Sequence, residues 1–147
     1  MSTTDLAANP SLTLKRRLDA PPAKVFAAWT DPRKLKIWFG PGEVECLLAE
    51  ADARVGGRFH LAMRSPKGEE HNVSGTYREV VPNERLVFTW AWRSAPERES
   101  LVIVALKPDG DGTLLTLTHE RLFDEAARDA HEHGWRGSLD KLARHLA

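Results

Sequence analysis

The sequence predicts an α+β fold in which a curved antiparallel sheet of about seven strands surrounds one long C-terminal helix. Apolar and polar residues alternate through most of residues 43–120, which is typical of strands with one buried face. Short turn sequences separate these segments, so consecutive strands are expected to pair antiparallel. Beyond residue 124 the apolar residues recur at helical spacing instead. Together these observations favour a sheet packed on a helix.

The N-terminal part of the chain is expected to hold one strand and two short helices. Residues 1–10 are small and polar, which predicts a loose tail, and residues 11–147 are expected to form a single domain. After the first strand, Pro-Pro at 21–22 opens one helix, because proline is tolerated in a first helical turn. Asp-Pro at 31–32 starts the second helix, and Gly-Pro-Gly at 40–42 ends it.

Period-two alternation indicates which strand side chains point to the core. The most informative strand carries two tryptophans, and its expected inward residues are Leu86, Phe88, Trp90 and Trp92. In the second strand the same rule places on one face Val44, Cys46 and Leu48. The sheet is therefore expected to present an aromatic inner surface.

The C-terminal helix is expected to begin at Asp124, a good N-cap residue. Its inward stripe, read at helical spacing, consists of Ala127, His131, Trp135, Ser138, Leu139, Leu142 and Leu146. Small residues on or beside this stripe, such as Gly134, leave room between the helix and a curved sheet. We therefore expect a mostly apolar cavity there, with tryptophan N–H groups as its hydrogen-bond donors.

Composition excludes several classes of function. The 147 residues include 21 Lys and Arg and 21 Asp and Glu, so the net charge is zero, and the basic patch of a nucleic-acid-binding protein is not expected. The longest strongly apolar run, 101–106, is far shorter than the ~20 residues of a membrane-spanning helix. Cys46 is the only cysteine, which rules out an intrachain disulfide and favours a reducing compartment. The sequence therefore predicts a cytoplasmic protein without a membrane span or a nucleic-acid partner.

Two histidines are the strongest candidates for chemistry in the expected cavity. Strand parity places His119 inward, and helical phase places His131 on the buried stripe. An imidazole there can act as a general acid or base, or donate a hydrogen bond to a bound carbonyl. Alternatively, both are core histidines bonded to the backbone or to each other, because the sequence supplies no nucleophile or orienting carboxylate beside them. Both interpretations stay open at this point.

Other polar residues give weaker signals. Glu79 has the strand parity of Tyr77, so it either points inward and needs a partner or lies at the sheet edge in water. Tyr77 is expected in the core with its hydroxyl at the cavity wall. His131 and His133 lie roughly 200° apart around a helix axis, so they cannot bind one metal ion together. Cys46 is interpreted as a small buried hydrophobe, and no metal or cofactor is predicted.

Several motifs resemble one known family. The segment DAPPAKVFAAWTDPRKLKIWFGP at 19–41 is similar to the opening signature of the START-like superfamily, also called SRPBCC, which includes Bet v allergen-like proteins and polyketide cyclases. Further motifs follow in the family's order: GGRF at 56–59, GTYREVVP at 75–82, ERLVFTW at 84–90, GTLLTLTH at 112–119 and HEHGW at 131–135. The match narrows to the branch named activator of Hsp90 ATPase homologue-like and covers about residues 12–146.

This resemblance implies a helix-grip fold with an internal cavity between the sheet and the C-terminal helix. Members of the superfamily bind lipids, sterols, polyketides or plant hormones, and a few catalyse cyclisation or dehydration of such ligands. The eukaryotic activators that give the branch its name resemble this chain only over their C-terminal domain. A chaperone role is therefore an analogy of fold.

The favoured hypothesis is a binding module, monomeric or homodimeric, that holds a small, mostly apolar ligand of lipid-like or polyketide-like character. One alternative is a cyclase or dehydratase that uses His119, His131 or Tyr77; the other is an Hsp90 cofactor or stress-related interaction module. No catalytic residue is assigned. The residues expected to contact the ligand are Trp38, Phe59, Met63, Tyr77, Phe88, Trp90, Trp92, His119, Ala127, His131 and Trp135.

Overall fold

The computed structural model describes residues 9–147, which form one seven-stranded sheet and three helices. The strands are β1 (Leu12–Leu18), β2 (Glu45–Ala51), β3 (Arg58–Arg64), β4 (Glu70–Val81), β5 (Arg85–Trp92), β6 (Ser100–Asp109) and β7 (Gly112–Glu120). The helices are α1 (Pro22–Thr30), α2 (Pro32–Trp38) and α3 (Glu125–Leu146). The predicted α+β fold is confirmed, whereas the tail predicted for residues 1–10 lies almost entirely outside the described residues.

The sheet is an antiparallel half-barrel that curves around α3. Its strand order is β1-β7-β6-β5-β4-β3-β2. Consecutive strands pair throughout except for β1, which pairs with β7 so that Leu14 lies opposite Leu117. The two short helices, α1 and α2, carry the chain from one edge of the sheet to the other. None of the helices in the described part of the chain is long and apolar enough to cross a membrane.

Aspartate side chains cap two of the helices where the sequence predicts helix starts. Asp31 accepts the backbone N–H of Arg33 at 2.9 Å at the start of α2. Asp124 accepts the backbone N–H of Ala127 at 2.8 Å at the start of α3. Each bond satisfies an N–H group that has no partner within its own helix, which fixes where the helix begins.

One apolar core joins the inner face of the sheet to all three helices. The predicted inward face of β5 joins the core, because Leu86, Phe88 and Trp90 belong to it and Trp92 packs against it. The opposite face of β5 is covered as well, since Val87 and Thr89 are buried. The buried residues of α3 all belong to its predicted stripe and are Trp135, Ser138, Leu139 and Leu142. This packing holds α3 against the concave face of the sheet.

A bulge in β2 corrects one predicted face. Cys46 pairs with Met63 and is buried, but the register then shifts, and Leu48 pairs with Ala62. Leu48 is consequently 40% exposed, so the prediction that it shares a face with Cys46 is wrong. An extra residue in one strand reverses the inward parity of the positions that follow. Ala49 packs against the core in its place.

A second bulge, in β4, decides between the two interpretations of Glu79. Tyr77 pairs with Phe88, whereas Glu79 pairs with the adjacent Val87, so the two residues no longer share a parity. The Glu79 carboxylate is half-exposed and forms an ion pair with Arg85, whose Nε lies 2.9 Å from Glu79 Oε1. Glu79 therefore lies in a surface ion pair, as in the water-exposed interpretation.

Candidate cleft between the sheet and the C-terminal helix

A cleft of about 340 Å³ lies between the concave face of the sheet and α3. Its walls come from β3, β5, α3 and the loop after α2. The lining residues are Phe39, Pro41, Met63, Trp90, Trp92, Ala130, His131, Gly134, Trp135 and Ser138. No acidic residue, lysine or arginine is among these lining side chains. The cleft therefore offers an aromatic and uncharged surface.

Five of the residues predicted to contact a ligand line this cleft, namely Met63, Trp90, Trp92, His131 and Trp135. The rings pack closely, with centroids 5.0 Å apart for Trp90 and Trp135 and 5.4 Å apart for Trp90 and Trp92. Strand parity and helical phase therefore predicted correctly that these five side chains lie on neighbouring faces of the sheet and α3. Their contact with a ligand stays a prediction.

The other six predicted contact residues lie away from the cleft lining. Phe59, Tyr77 and Phe88 surround a separate core void of only about 20 Å³ and pack on one another, with the Phe59 and Phe88 centroids 5.2 Å apart. Trp38 is buried and donates its indole N–H to the Ala28 carbonyl at 2.9 Å. Ring packing fills this part of the interior, so these four residues lie outside the cleft lining, and their contact with a ligand stays a prediction.

His119 and Ala127 are the remaining two residues outside the lining. His119 is fully buried, and its ring is bonded to the Trp135 indole rather than exposed in the cleft. Ala127 is half-buried in the first turn of α3, one turn before the nearest lining residues. Helical phase gives the correct side of the helix, but it cannot tell how far along the axis a cleft extends.

Five lining residues were not predicted as contacts: Phe39, Pro41, Ala130, Gly134 and Ser138. Gly134 and Ser138 did supply a signal, because their small size indicated space beside the helix. Phe39 and Pro41 supplied none, since their position depends on the loop that packs against α3. A Cβ atom at Gly137 would lie 2.7 Å from Pro41 Cβ, which shows how closely that loop approaches the helix.

His131 uses both ring nitrogens within the protein. Its Nδ1 lies 2.7 Å from the Ala127 carbonyl oxygen, which can only accept, so Nδ1 carries the proton. Its Nε2 accepts the indole N–H of Trp92 at 3.0 Å. The ring is therefore held in one neutral tautomer, and burial lowers the pKa of His131 from its usual range.

His119 lies in a directed chain of buried hydrogen bonds. Trp135 Nε1 donates to His119 Nδ1 at 3.0 Å, so His119 Nε2 carries the proton and donates to Ser100 Oγ at 2.7 Å. Ser100 in turn donates to the Trp90 carbonyl at 3.2 Å. The chain ties α3 to three neighbouring strands, β7, β6 and β5.

Burial, with a smaller effect of the neighbouring His131, lowers the pKa of His119 to about 3. The centroids of the two imidazole rings are 4.9 Å apart. Both imidazoles are consequently neutral at neutral pH, and all four ring nitrogens are bonded to protein groups. This arrangement matches the core-histidine interpretation, in which neither ring is free to act as an acid or base on a ligand.

Tyr77 and Cys46 keep their protons as well. Burial, with a smaller effect of Asp52, raises the pKa of Tyr77 to about 12. Burial also raises the pKa of Cys46, whose thiol donates to the Leu48 carbonyl at 3.4 Å. Within residues 9–147, no three His, Cys, Asp or Glu side chains are grouped in a way that could hold a metal ion.

A half-barrel sheet that holds a long C-terminal helix, with an aromatic cleft between them, defines the helix-grip class of α+β proteins. The chain belongs to the family described as "Activator of Hsp90 ATPase homolog 1-like protein", whose model matches residues 19–147. The resemblance inferred from the sequence motifs is thereby confirmed.

Solved structures support the same assignment. Protein CV1439 from Chromobacterium violaceum is 31% identical, with a TM-score of 0.84, over 93% of this chain and 97% of that one. The AHSA1 (SPO3351) protein from Silicibacter pomeroyi is 32% identical, with a TM-score of 0.84 and the same coverage of 93% and 97%. CalU16 from Micromonospora echinospora is 31% identical, with a TM-score of 0.71, over 93% and 76%. Among curated proteins, none matches this sequence significantly.

Proposed function

We propose that this protein is a binding module that holds a small, mostly apolar molecule in the cleft between the sheet and α3. The observation that carries the proposal is the cleft itself, about 340 Å³ lined by aromatic and small side chains. Natural interiors are close-packed, so an opening of this size and character is a candidate ligand site. Its volume is at the lower end of the range for small-molecule sites, which favours a compact ligand over a long lipid.

The proposed role of the cleft is to bind its ligand, not to catalyse a reaction of it. The two histidines, which are the strongest acid-base candidates in the sequence, have their ring nitrogens engaged by protein groups. A ligand in the cleft would meet the edges and faces of Trp90, Trp92 and Trp135. Apolar burial against these rings would supply most of the binding free energy.

A titration with N-phenyl-1-naphthylamine, a neutral apolar fluorophore, tests this proposal. We expect saturable probe fluorescence with energy transfer from tryptophan, because three tryptophans line the cleft. Gly134→Leu should weaken binding about tenfold or more, since a leucine side chain would occupy space that the probe needs.

The matched control is Ala126→Leu, an exposed position on the same helix that does not line the cleft. This variant should bind the probe as the unaltered protein does. Saturable binding that is equally strong in the Gly134→Leu variant would place the site elsewhere, and the absence of any binding would contradict the proposal.

A further inference from the structure

Two of the residues that line the cleft carry a polar group without a hydrogen-bond partner in the described part of the chain. Trp90 is 4% exposed, and its indole Nε1 is itself enclosed and finds no hydrogen-bond acceptor among residues 9–147. Ser138 is 3% exposed, and in the same described range its hydroxyl makes no side-chain hydrogen bond. Buried polar groups in folded proteins nearly always have partners, so an unpaired donor in a binding cleft points to its ligand.

The remaining polar side chains of the cleft are already engaged. Trp92 donates to His131, His131 donates to the Ala127 carbonyl, and Trp135 donates to His119. The lining holds no carboxylate, lysine or arginine that could neutralise a charge on a ligand. An ionised ligand would lose its hydration there without gaining a counter-ion, which is strongly unfavourable.

From these contacts we propose that the cleft selects an uncharged molecule whose apolar body carries a hydrogen-bond-accepting oxygen, such as a ketone. The oxygen pairs with the Ser138 hydroxyl or, after a shift of the enclosed ring, with the Trp90 indole N–H. The inference rests on the proposed function and specifies its ligand class. Trp90 and Ser138 come from β5 and α3, the two elements between which the cleft lies. The oxygen would therefore hold the ligand in one orientation between aromatic walls.

One competing arrangement concerns the Trp90 indole. Trp90 also borders the core void of about 20 Å³, as does Trp29, whose own indole N–H lacks an acceptor in the described residues. A void of that size can hold one water molecule, which could accept from both indoles. In that case the Trp90 N–H would stay bonded to the water, and Ser138 alone would donate a hydrogen bond to the ligand oxygen.

Calorimetry with three probes of similar shape tests the inference: 2-acetylnaphthalene, 2-ethylnaphthalene and 2-naphthoate. The ketone and the hydrocarbon are compared through the ratio of their dissociation constants, because the ketone leaves water less readily. We expect Ser138→Ala or Trp90→Phe to reduce the preference for the ketone about three- to tenfold, the effect of one hydrogen bond. The naphthoate should bind at least about tenfold more weakly than the ketone.

Ser94→Ala is the matched control. It removes a hydroxyl at an exposed position that does not line the cleft, so the ratio should not change. Indole ¹⁵N–¹H spectra of the unaltered protein give a second readout that does not depend on a variant folding. The ketone, but not the hydrocarbon, should shift the Trp90 signal downfield if that group is the donor.

The outcomes separate the two proposals. If both neutral probes bind but neither Ser138→Ala nor Trp90→Phe changes the ratio, the inference is wrong and the binding function stands. Naphthoate binding as tight as that of the ketone also overturns the inference alone. If neither neutral probe binds the unaltered protein, the proposed binding function is wrong, and the inference falls with it.

Discussion

At the scale of single residues, His119 is the group whose burial most clearly affects stability. Its folded pKa of about 3 is well below the ordinary histidine value of 6.5. Between these two values the unfolded chain binds a proton that the folded protein does not. The free energy of unfolding is therefore unaffected by this difference above about pH 6.5, where His119 is neutral in both states. It decreases as the pH falls from 6.5 towards 3, because the unfolded chain is stabilised by the proton that it binds.

We accordingly predict that the free energy of unfolding falls by about 2 kcal/mol between pH 7 and pH 5. Urea unfolding at a series of pH values measures this change. His119→Gln, which cannot gain a proton, should flatten the slope over that range. A stability that stays constant from pH 7 to pH 5 would mean that His119 is not buried in its neutral form.

Ser100 is the second residue with a strong individual role, because it connects His119 to the Trp90 carbonyl. Ser100→Ala would leave the buried His119 N–H without an acceptor. We expect a loss of about 1–3 kcal/mol in the free energy of unfolding, measured by urea denaturation. Ser94→Ala, at an exposed position, is the control and should stay within about 0.5 kcal/mol of the unaltered protein.

At the scale of secondary-structure elements, α3 contains two glycines with opposite surroundings. A Cβ added at Gly134 meets no atom within 4 Å, whereas one added at Gly137 would lie 2.7 Å from Pro41 Cβ. Gly134→Ala should raise stability by about 0.5–1 kcal/mol, since alanine is the better helix former. Gly137→Ala should lower stability by about 1–3 kcal/mol through overpacking.

Thermal or urea unfolding of the two glycine variants measures this contrast. Equal effects of both substitutions would mean that α3 does not pack closely against the loop at Pro41.

The elements themselves could be predicted from the sequence, but their local irregularities could not. Alternation and the change to helical spacing identified all seven strands and three helices, because a buried face imposes a period on the residues. The bulges at Cys46–Leu48 and Tyr77–Glu79 have no such signal. They moved Leu48 and Glu79 to the outer surface. Likewise Phe39 and Pro41 joined the cleft through loop packing, which no local pattern encodes.

At the scale of the whole molecule, one apolar core unites every strand of the sheet and all three helices. We therefore predict that residues 11–147 unfold as a single cooperative unit. Tryptophan fluorescence reports the cleft region and far-ultraviolet circular dichroism reports the backbone, so their urea midpoints should coincide. Separate midpoints would show that part of the chain unfolds independently and would contradict the single-domain prediction.

The pairing of β1 with β7 also determines when the sheet can be completed during synthesis. Leu14 lies opposite Leu117, so roughly 100 residues must be translated before β1 meets its partner. At about 5–20 residues per second, this takes on the order of 5–20 seconds. Throughout that interval the apolar side chains of Leu12, Leu14 and Leu18 have no native strand to cover them. The N-terminal strand of each nascent chain is therefore available to other nascent chains on the same messenger, and faster translation shortens this exposure.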